Sequence, residues 1–476
     1  MASKTTLNAK NLELLGAETL AALLMEVSMG SAASKRRLRL ALAGSQSMAE
    51  AAREVTKRLS SIARAKTPIH WRRVKAVAKD LDVQRRAIVE TIAPGDADEA
   101  LETMWQLLHL GPLIFARSDD SNGTLMAIFH QANRDLGAIA ELAQPNPQHL
   151  AERVFSALQA DDVGQCDGLI AALAPALGAA GLDHLKRRLL DLSKALTEKP
   201  ARSGRAAGEW VFNGSFYEDR AADRRQINRI SGALQDIADA QGDVDAFMAQ
   251  HSKASRSVDG IAAEIARRLL AAGRPQEALA AIDAAKPDPV EGFGWEQTRA
   301  DVLEALGRVE QAQAFRWACF ERSLNRDHLK AYLKRLPDFD DIEAEDRALA
   351  HAARFADVHA ALDFLVGWPA LDRAARLVLA RRREFDGHRH EVLTPAAEQL
   401  AAKFPLVATL LLRAMIDFVL EKGRPNRYRP AAAQLAECAA LAARIEDMAS
   451  LPSHADYLAR LRASHGKRVR FWEVCR

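Results

Sequence analysis

The sequence predicts an all-α protein: an N-terminal helical domain followed by an α-solenoid of helical hairpins. Three observations predict it. Alanine and leucine dominate the 476 residues, which are 49% hydrophobic and 27% charged with only four Tyr, and such a composition favours helix over strand. Apolar residues recur at helical spacing along most of the chain. Between Ile261 and Cys319 the pattern also repeats, with Gly273 and Gly307 lying 34 residues apart, as do Ala278 and Ala312.

The repeat explains most of the second half. IAAEIARRLLAAGRPQEALAAIDAAKP is followed by a loop and then by WEQTRADVLEALGRVEQAQAFRWACF. Each Gly ends one apolar-periodic helix and precedes another, the helix–turn–helix unit of a tetratricopeptide-like (TPR-like) array. Ala266 and Ala278, then Ala300 and Ala312, are small where two helices of one unit must approach closely. Gly242, Gly273 and Gly307 mark three successive unit turns.

Taken from the start, Asn11 to Met29 reads as one amphipathic helix with Leu12, Leu15, Leu20, Leu23 and Leu24 on one side, punctuated by Gly30-Ser31. Residues 35–86 then carry 15 Lys or Arg against four acids. Val55, Leu59 and Ile62, then Val74, Val77, Leu81 and Ile88, keep a helical period, so this is folded helix with a basic outer face. Thr67-Pro68 breaks it, because proline pushes its predecessor out of the α region. Residues 91–180 reverse the sign, with twelve acids against three Arg. A helix from Asp96 to Leu110 has acids in its first turn, where the dipole favours them. Asp119 to Gly123 is a turn, Thr124 begins a helix through Leu142, and Pro145-Asn146-Pro147 is a loop. Helices follow at His149–Ala160, Gln165–Leu177 and Leu182–Leu196.

Glu198 to Gly208 has linker composition, which places the division between a domain of residues 1–200 and a solenoid of residues 201–476. Trp210 to Glu218 (WVFNGSFYE) reads as a short hairpin or as a docking segment that caps the first repeat. Ile227, Ile230, Leu234 and Ile237 form one face before Gly242, and Val244 to His251 returns. Past Pro337 the period blurs while helix pairs continue: Glu345–Phe355 with His359–Gly367, Leu371–Phe385 with Pro395–Ala402, and Leu406–Leu420 with Ala431–Ile445. The last helix, Ser453–His465, leads into a basic-aromatic end whose Phe471 and Trp472 cap the last repeat.

Composition and motifs exclude several functions. Net charge is +3, so the chain is no polyelectrolyte. Cys166, Cys319, Cys438 and Cys475 lie far apart, the pattern of a large reduced cytoplasmic protein. Glu13 and Glu18 interrupt any signal-peptide core, and the apolar run Pro405–Leu420 carries Arg413 and Asp417, so it reads as a buried helix and no membrane span is expected. There is no Walker A loop, dinucleotide fingerprint, GxSxG elbow or HExxH, hence no predicted catalytic residue and no predicted cofactor. No Cys or His pair has zinc-finger spacing, and His388-Arg389-His390 sits in a polar loop, so no metal ligand is predicted. Asp119 to Asn122 lacks the Gly and distal Glu of a calcium loop, since Thr124 and Gln131 stand there. The acids Asp340, Asp341, Glu343, Glu345 and Asp346 read as a solvated helix start.

LLAAGRPQEAL and VLEALGRVEQAQAFRWACF resemble tetratricopeptide-like repeats. The later blocks AARFADVHAALDFLVGWPALDRAARLVLARRRE, PLVATLLLRAMIDFVLEKGR and LPSHADYLARLRASHGKRVRFW resemble an uncharacterised bacterial all-helical family, similar to the helical portion of SWIM zinc-finger proteins. The CxC…CxH zinc ligands of those proteins are absent here, so no metal or DNA role is carried over.

Stacked hairpins leave an extended surface for shallow contacts. The leading expectation is therefore a non-enzymatic scaffold that binds a protein or peptide partner. The rival expectation is nucleic acid held on the basic face by Arg36, Arg37, Lys57, Arg58, Arg72, Arg73 and Lys75. Against it, the +11 of residues 35–86 nearly cancels the −9 of residues 91–180, as it would if the two segments paired. An enzyme with its site between the two halves is a third class.

Overall fold

The structure, a computed structural model, describes residues 6–197, 214–285, 292–445 and 452–475, and of residues 214–223 the backbone alone. The expected linker at 198–208, and the aromatics before Gly214, lie outside the described residues. Two compact units divide the chain, Met1–Ser252 and Lys253–Arg476. Among the described residues there is no strand, only an isolated bridge between Ile69 and Ser118.

The first unit comprises α1 (Ala9–Glu13), α2 (Ala17–Ser28), α3 (Ala32–Gln46), α4 (Met48–Ala63), α5 (Trp71–Ala87), α6 (Ala97–Leu108), α7 (Leu110–Phe115), α8 (Thr124–Ala143), α9 (Pro147–Gln159), α10 (Leu169–Thr197), α11 (Gly214–Gln241) and α12 (Val244–Ala249). Its starts are set by local capping. Ser47 accepts from the Glu50 N–H, and Asp96 from the Glu99 N–H. Asp120 takes the Leu125 and Met126 N–H groups at 2.9 Å, so the predicted turn doubles as the anchor of α8.

The core centres on α8, which packs against α5, α6 and α10. Phe129, Ala132, Leu136 and Ala140 are fully buried there. Gly137 lets α10 come close, because a Cβ at that position would sit 2.3 Å from the Ala172 carbonyl oxygen.

Several expectations are corrected in this unit. The single N-terminal helix is two, separated at Gly16 (φ 80°), and Leu15, Leu23 and Leu24 are exposed rather than buried. The helix expected from Gln165 starts at Leu169, because the Asp161 carboxylate accepts N–H bonds from Val163, Gly164, Gln165 and Cys166 and holds that stretch as a loop. The expected break between this helix and the next stands: α10 is two helical stretches parted at Gly178, whose φ of 54° and ψ of −173° are not helical. Of the two readings of Trp210–Glu218, the hairpin is excluded from Gly214 onward, where the chain is helix. The division expected at residue 200 falls instead after Ser252, since Ile230, Ala233, Leu234 and Ile237 of α11 belong to the first core.

The second unit comprises α13 (Asp259–Ala271), α14 (Pro275–Asp283), α15 (Phe293–Ala305), α16 (Val309–Ser323), α17 (Arg326–Leu333), α18 (Asp340–Arg354), α19 (Val358–Gly367), α20 (Leu371–Ala380), α21 (His390–Ala401), α22 (Pro405–Glu421), α23 (Tyr428–Ala442), α24 (His454–His465) and α25 (Val469–Val474). From α13 to α22 the packing partners of a helix are the next one or two along the chain, the contact plan of a solenoid. Phe471 is fully buried against the Tyr428 ring, and Trp472 donates to the His465 carbonyl, closing the end of the stack. No helix among the described residues is long and apolar enough to cross a membrane.

Candidate functional site

The basic face is built where α3, α4 and α5 meet at Asp80. Arg58 donates to Asp80 from Nε at 3.0 Å, and Arg36 reaches the same carboxylate at 3.5 Å. Both predicted contact residues are therefore held by an internal acid. Lys57 pairs with Glu54 on its own helix. Arg85 bridges Asp82 to Asp135 of α8.

That Arg85–Asp135 pair is the one ion pair between residues 35–86 and the acidic segment among the described residues. Three other acids of the segment pair outside the basic stretch: Glu102 with Arg153, Glu152 with Arg188 and His184, and Asp162 with Arg229. Pairing between the two segments, the expected reason for their cancelling charges, thus accounts for little of the balance. Arg37, Arg39, Arg72, Arg73, Lys75 and Lys79 are exposed and form no ion pair among the described residues. On α5, the 3.6-residue turn brings Trp71, Arg72, Lys75 and Lys79 onto one flank. Trp71 is 66% exposed and carries the Arg72 guanidinium over its ring at 5.0 Å.

The glycines named from the repeat stand at helix corners. Gly242, Gly273 and Gly307 have φ of 66°, 71° and 73°. At each, the following N–H returns to a carbonyl five residues back: Asp243 to Ala238, Arg274 to Leu269 and Arg308 to Leu303. This is the Schellman closure, which needs a left-handed residue and so favours Gly. Ala278 and Ala312 are fully buried.

One cluster has no counterpart in the sequence reading. Glu296 of α15, Cys319 of α16 and His328 of α17 are buried, and one ligand-type atom of each lies within 4.8 Å of the other two. His328 Nε2 is 2.7 Å from Glu296 Oε2, and Arg322 donates to Oε1 of the same carboxylate. The Arg322 guanidinium also lies 3.9 Å from the Cys319 sulfur. The hydrogen bond from His328, joined by the charges of His328 and Arg322, holds the Glu296 carboxyl below its ordinary range against the opposing effect of burial. Burial, then the Glu296 charge, pushes the Cys319 thiol up to about 11. Cys319 is fully buried, and a thiol raised in this way is less reactive than an exposed one.

A family model matches residues 2–474 of the chain, under the description "family of unknown function". The chain belongs to that family, DUF6880. Among solved structures it is similar to a circular tandem repeat protein with novel repeat topology and enhanced subunit contact surfaces, at 14% identity over 97% of this chain and 94% of that one, with a TM-score of 0.14. At that score the architecture rests on the helices described above and not on the likeness. No curated protein matches the chain. The resemblance to SWIM proteins rests on the sequence blocks alone.

The other motifs weighed from sequence have structural partners. Glu345 accepts from the Trp368 indole and Asp346 pairs with Arg373, so those acids tie α18 to its neighbours. His390 opens α21 and contacts the His388 carbonyl at 2.8 Å. Glu296, Cys319 and His328 follow no short-motif spacing, because each comes from a different helix, and only the stacking of three helices brings them together.

Proposed function

We propose that this DUF6880 chain is a non-enzymatic scaffold that holds a partner polypeptide on exposed helix surface, with the flank of α3 and α5 receiving an acidic stretch of that partner. The observation that carries this reading is the set of six exposed cations of α3 and α5 that form no ion pair among the described residues, with Arg72 stacked on the exposed Trp71. Exposed arginine and tryptophan are the side chains most often found as interface anchors. The deciding experiment is affinity purification from the native host with the wild-type chain and with Arg72→Glu/Arg73→Glu/Lys75→Glu, identifying bound protein and nucleic acid. Capture of a protein by the wild type and its loss from the triple variant support the reading; equal capture by both removes the basic flank from it.

Nucleic acid is the second reading, favoured by Trp71 with Arg72 stacked on it, an arrangement that also suits an unpaired base. Binding of a labelled duplex and a labelled single strand across a salt series tests it. Phosphate contact requires affinity that falls steeply with salt, and absence of binding at low salt overturns it.

A further inference from the structure

Most of what α15, α16 and α17 bury is apolar, such as Val302, Leu303, Phe320 and Leu329. Within that surroundings a carboxylate, a thiol and an imidazole converge from three consecutive helices. Asn325 caps α17 and so places His328 in its first turn, with the Phe293 ring edge-on to the imidazole at 4.9 Å. The imidazole is therefore held from two sides.

This donor set has a chemical preference. A thiolate, an imidazole and a carboxylate are the ligand types of zinc, whereas a soft sulfur donor disfavours magnesium and calcium. Around a tetrahedral zinc such donors stand about 3.3–3.7 Å apart, given metal–ligand lengths of about 2.0–2.3 Å. The three atoms here lie within 4.8 Å of one another, and the Glu296–His328 contact of 2.7 Å has only to open slightly. As the dication binds, the Cys319 thiol gives its proton to solvent, and the resulting thiolate and the Glu296 carboxylate together balance the two positive charges.

We propose that Glu296, Cys319 and His328 form a three-ligand site for one zinc-class dication, stapling α15, α16 and α17 together. Arg322 is the gate. Its side chain is 57% exposed, and its guanidinium holds the Glu296 carboxylate while lying 3.9 Å from the Cys319 sulfur, so it touches two of the three donors. The dication and Arg322 compete for the same carboxylate, so metal entry swings the guanidinium into water, where its charge is fully solvated.

The test uses the full chain, stripped with a chelator and titrated with Co²⁺ and Zn²⁺. The expected result is one equivalent of Co²⁺, with a thiolate-to-metal charge-transfer band and ligand-field bands of tetrahedral intensity, together with a Zn²⁺-dependent rise in Tm reversed by chelator. Cys319→Ser loses the charge-transfer band and His328→Gln weakens affinity at least about tenfold. Cys475→Ser, which removes the exposed cysteine, keeps both. Arg322→Ala, at a largely exposed position, binds more tightly than wild type because the competitor is gone. Sub-stoichiometric binding by the wild type, or a charge-transfer band that survives Cys319→Ser, overturns the proposal. If Cys319→Ser does not fold, as judged by far-ultraviolet dichroism, Arg322→Ala decides: tighter Co²⁺ binding supports the site, and unchanged binding overturns it.

Discussion

The two units bury the same kinds of residue, mostly Ala and Leu, with different contact plans. In the first, contacts between near neighbours are joined by α5 packing on α8 and α4 on α7, three helices along, so those more distant segments also share one core. In the second, contacts pass mainly to the next helix and the next but one. A core built from distant segments fails as a whole, whereas a stack with nearest-neighbour contacts opens piece by piece.

Core truncation separates the two most strongly. Trp105→Ala removes a fully buried ring from the first unit and should cost about 3–5 kcal/mol, with amide exchange quickening together from α4 to α10. Phe364→Ala, which removes a ring packed on Phe320 and Trp368, should cost a similar amount, yet quicken exchange around α18–α21 while sparing α13 and α14. Global loss of protection in the second unit would abolish the contrast.

Next in size is a buried charge in the stack. Arg316 is buried, donates to Glu304 at 2.6 Å and reaches Asp301 at 3.3 Å. Arg316→Met should cost about 2 kcal/mol by urea unfolding, below the range for a fully buried pair because both acids are partly exposed and Arg335 still holds Glu304. Burial pushes the Glu304 carboxyl up, but hydrogen bonds from Arg316 and Arg335 outweigh it, and the group sits below its ordinary value of 4.5. A lowered acid contributes stability that is fully present above pH 4.5 and lost as pH falls through the lowered value. The wild type should therefore lose stability below that pH more steeply than Arg316→Met does.

Smaller effects sharpen the corners. Gly273→Ala and Gly307→Ala should each cost about 1 kcal/mol and should add, since a Cβ meets nothing within 4 Å at either site and only the positive φ opposes it. Smallest of all, Arg72→Glu/Arg73→Glu/Lys75→Glu should shift stability by no more than about 0.5 kcal/mol, because these side chains are exposed and unpaired. A large loss there would make the basic flank structural.

What could be read from the chain was local. Asp96 as a cap, the turn at Asp119 to Gly123 and the glycine corners each depend on a few neighbouring residues, so composition and spacing sufficed. The basic stretch was legible as charge, but Arg58 finding Asp80, and Arg85 finding Asp135, required helix packing. The start of α10 was misread because Asp161, a residue outside the helix, keeps four N–H groups for itself.

By itself, then, the sequence determined that this protein is helical, where its hairpins turn and which stretches carry its charge, since apolar period, glycine conformation and ionisation are properties of short segments. Only the tertiary structure decided that α11 joins the first core, that Arg36 and Arg58 are tied to Asp80 while Arg72 and Lys75 face water, and that Glu296, Cys319 and His328 meet. Those outcomes turn on which helix faces come together, and the free energy that selects them is spread over apolar contacts between segments the sequence keeps apart.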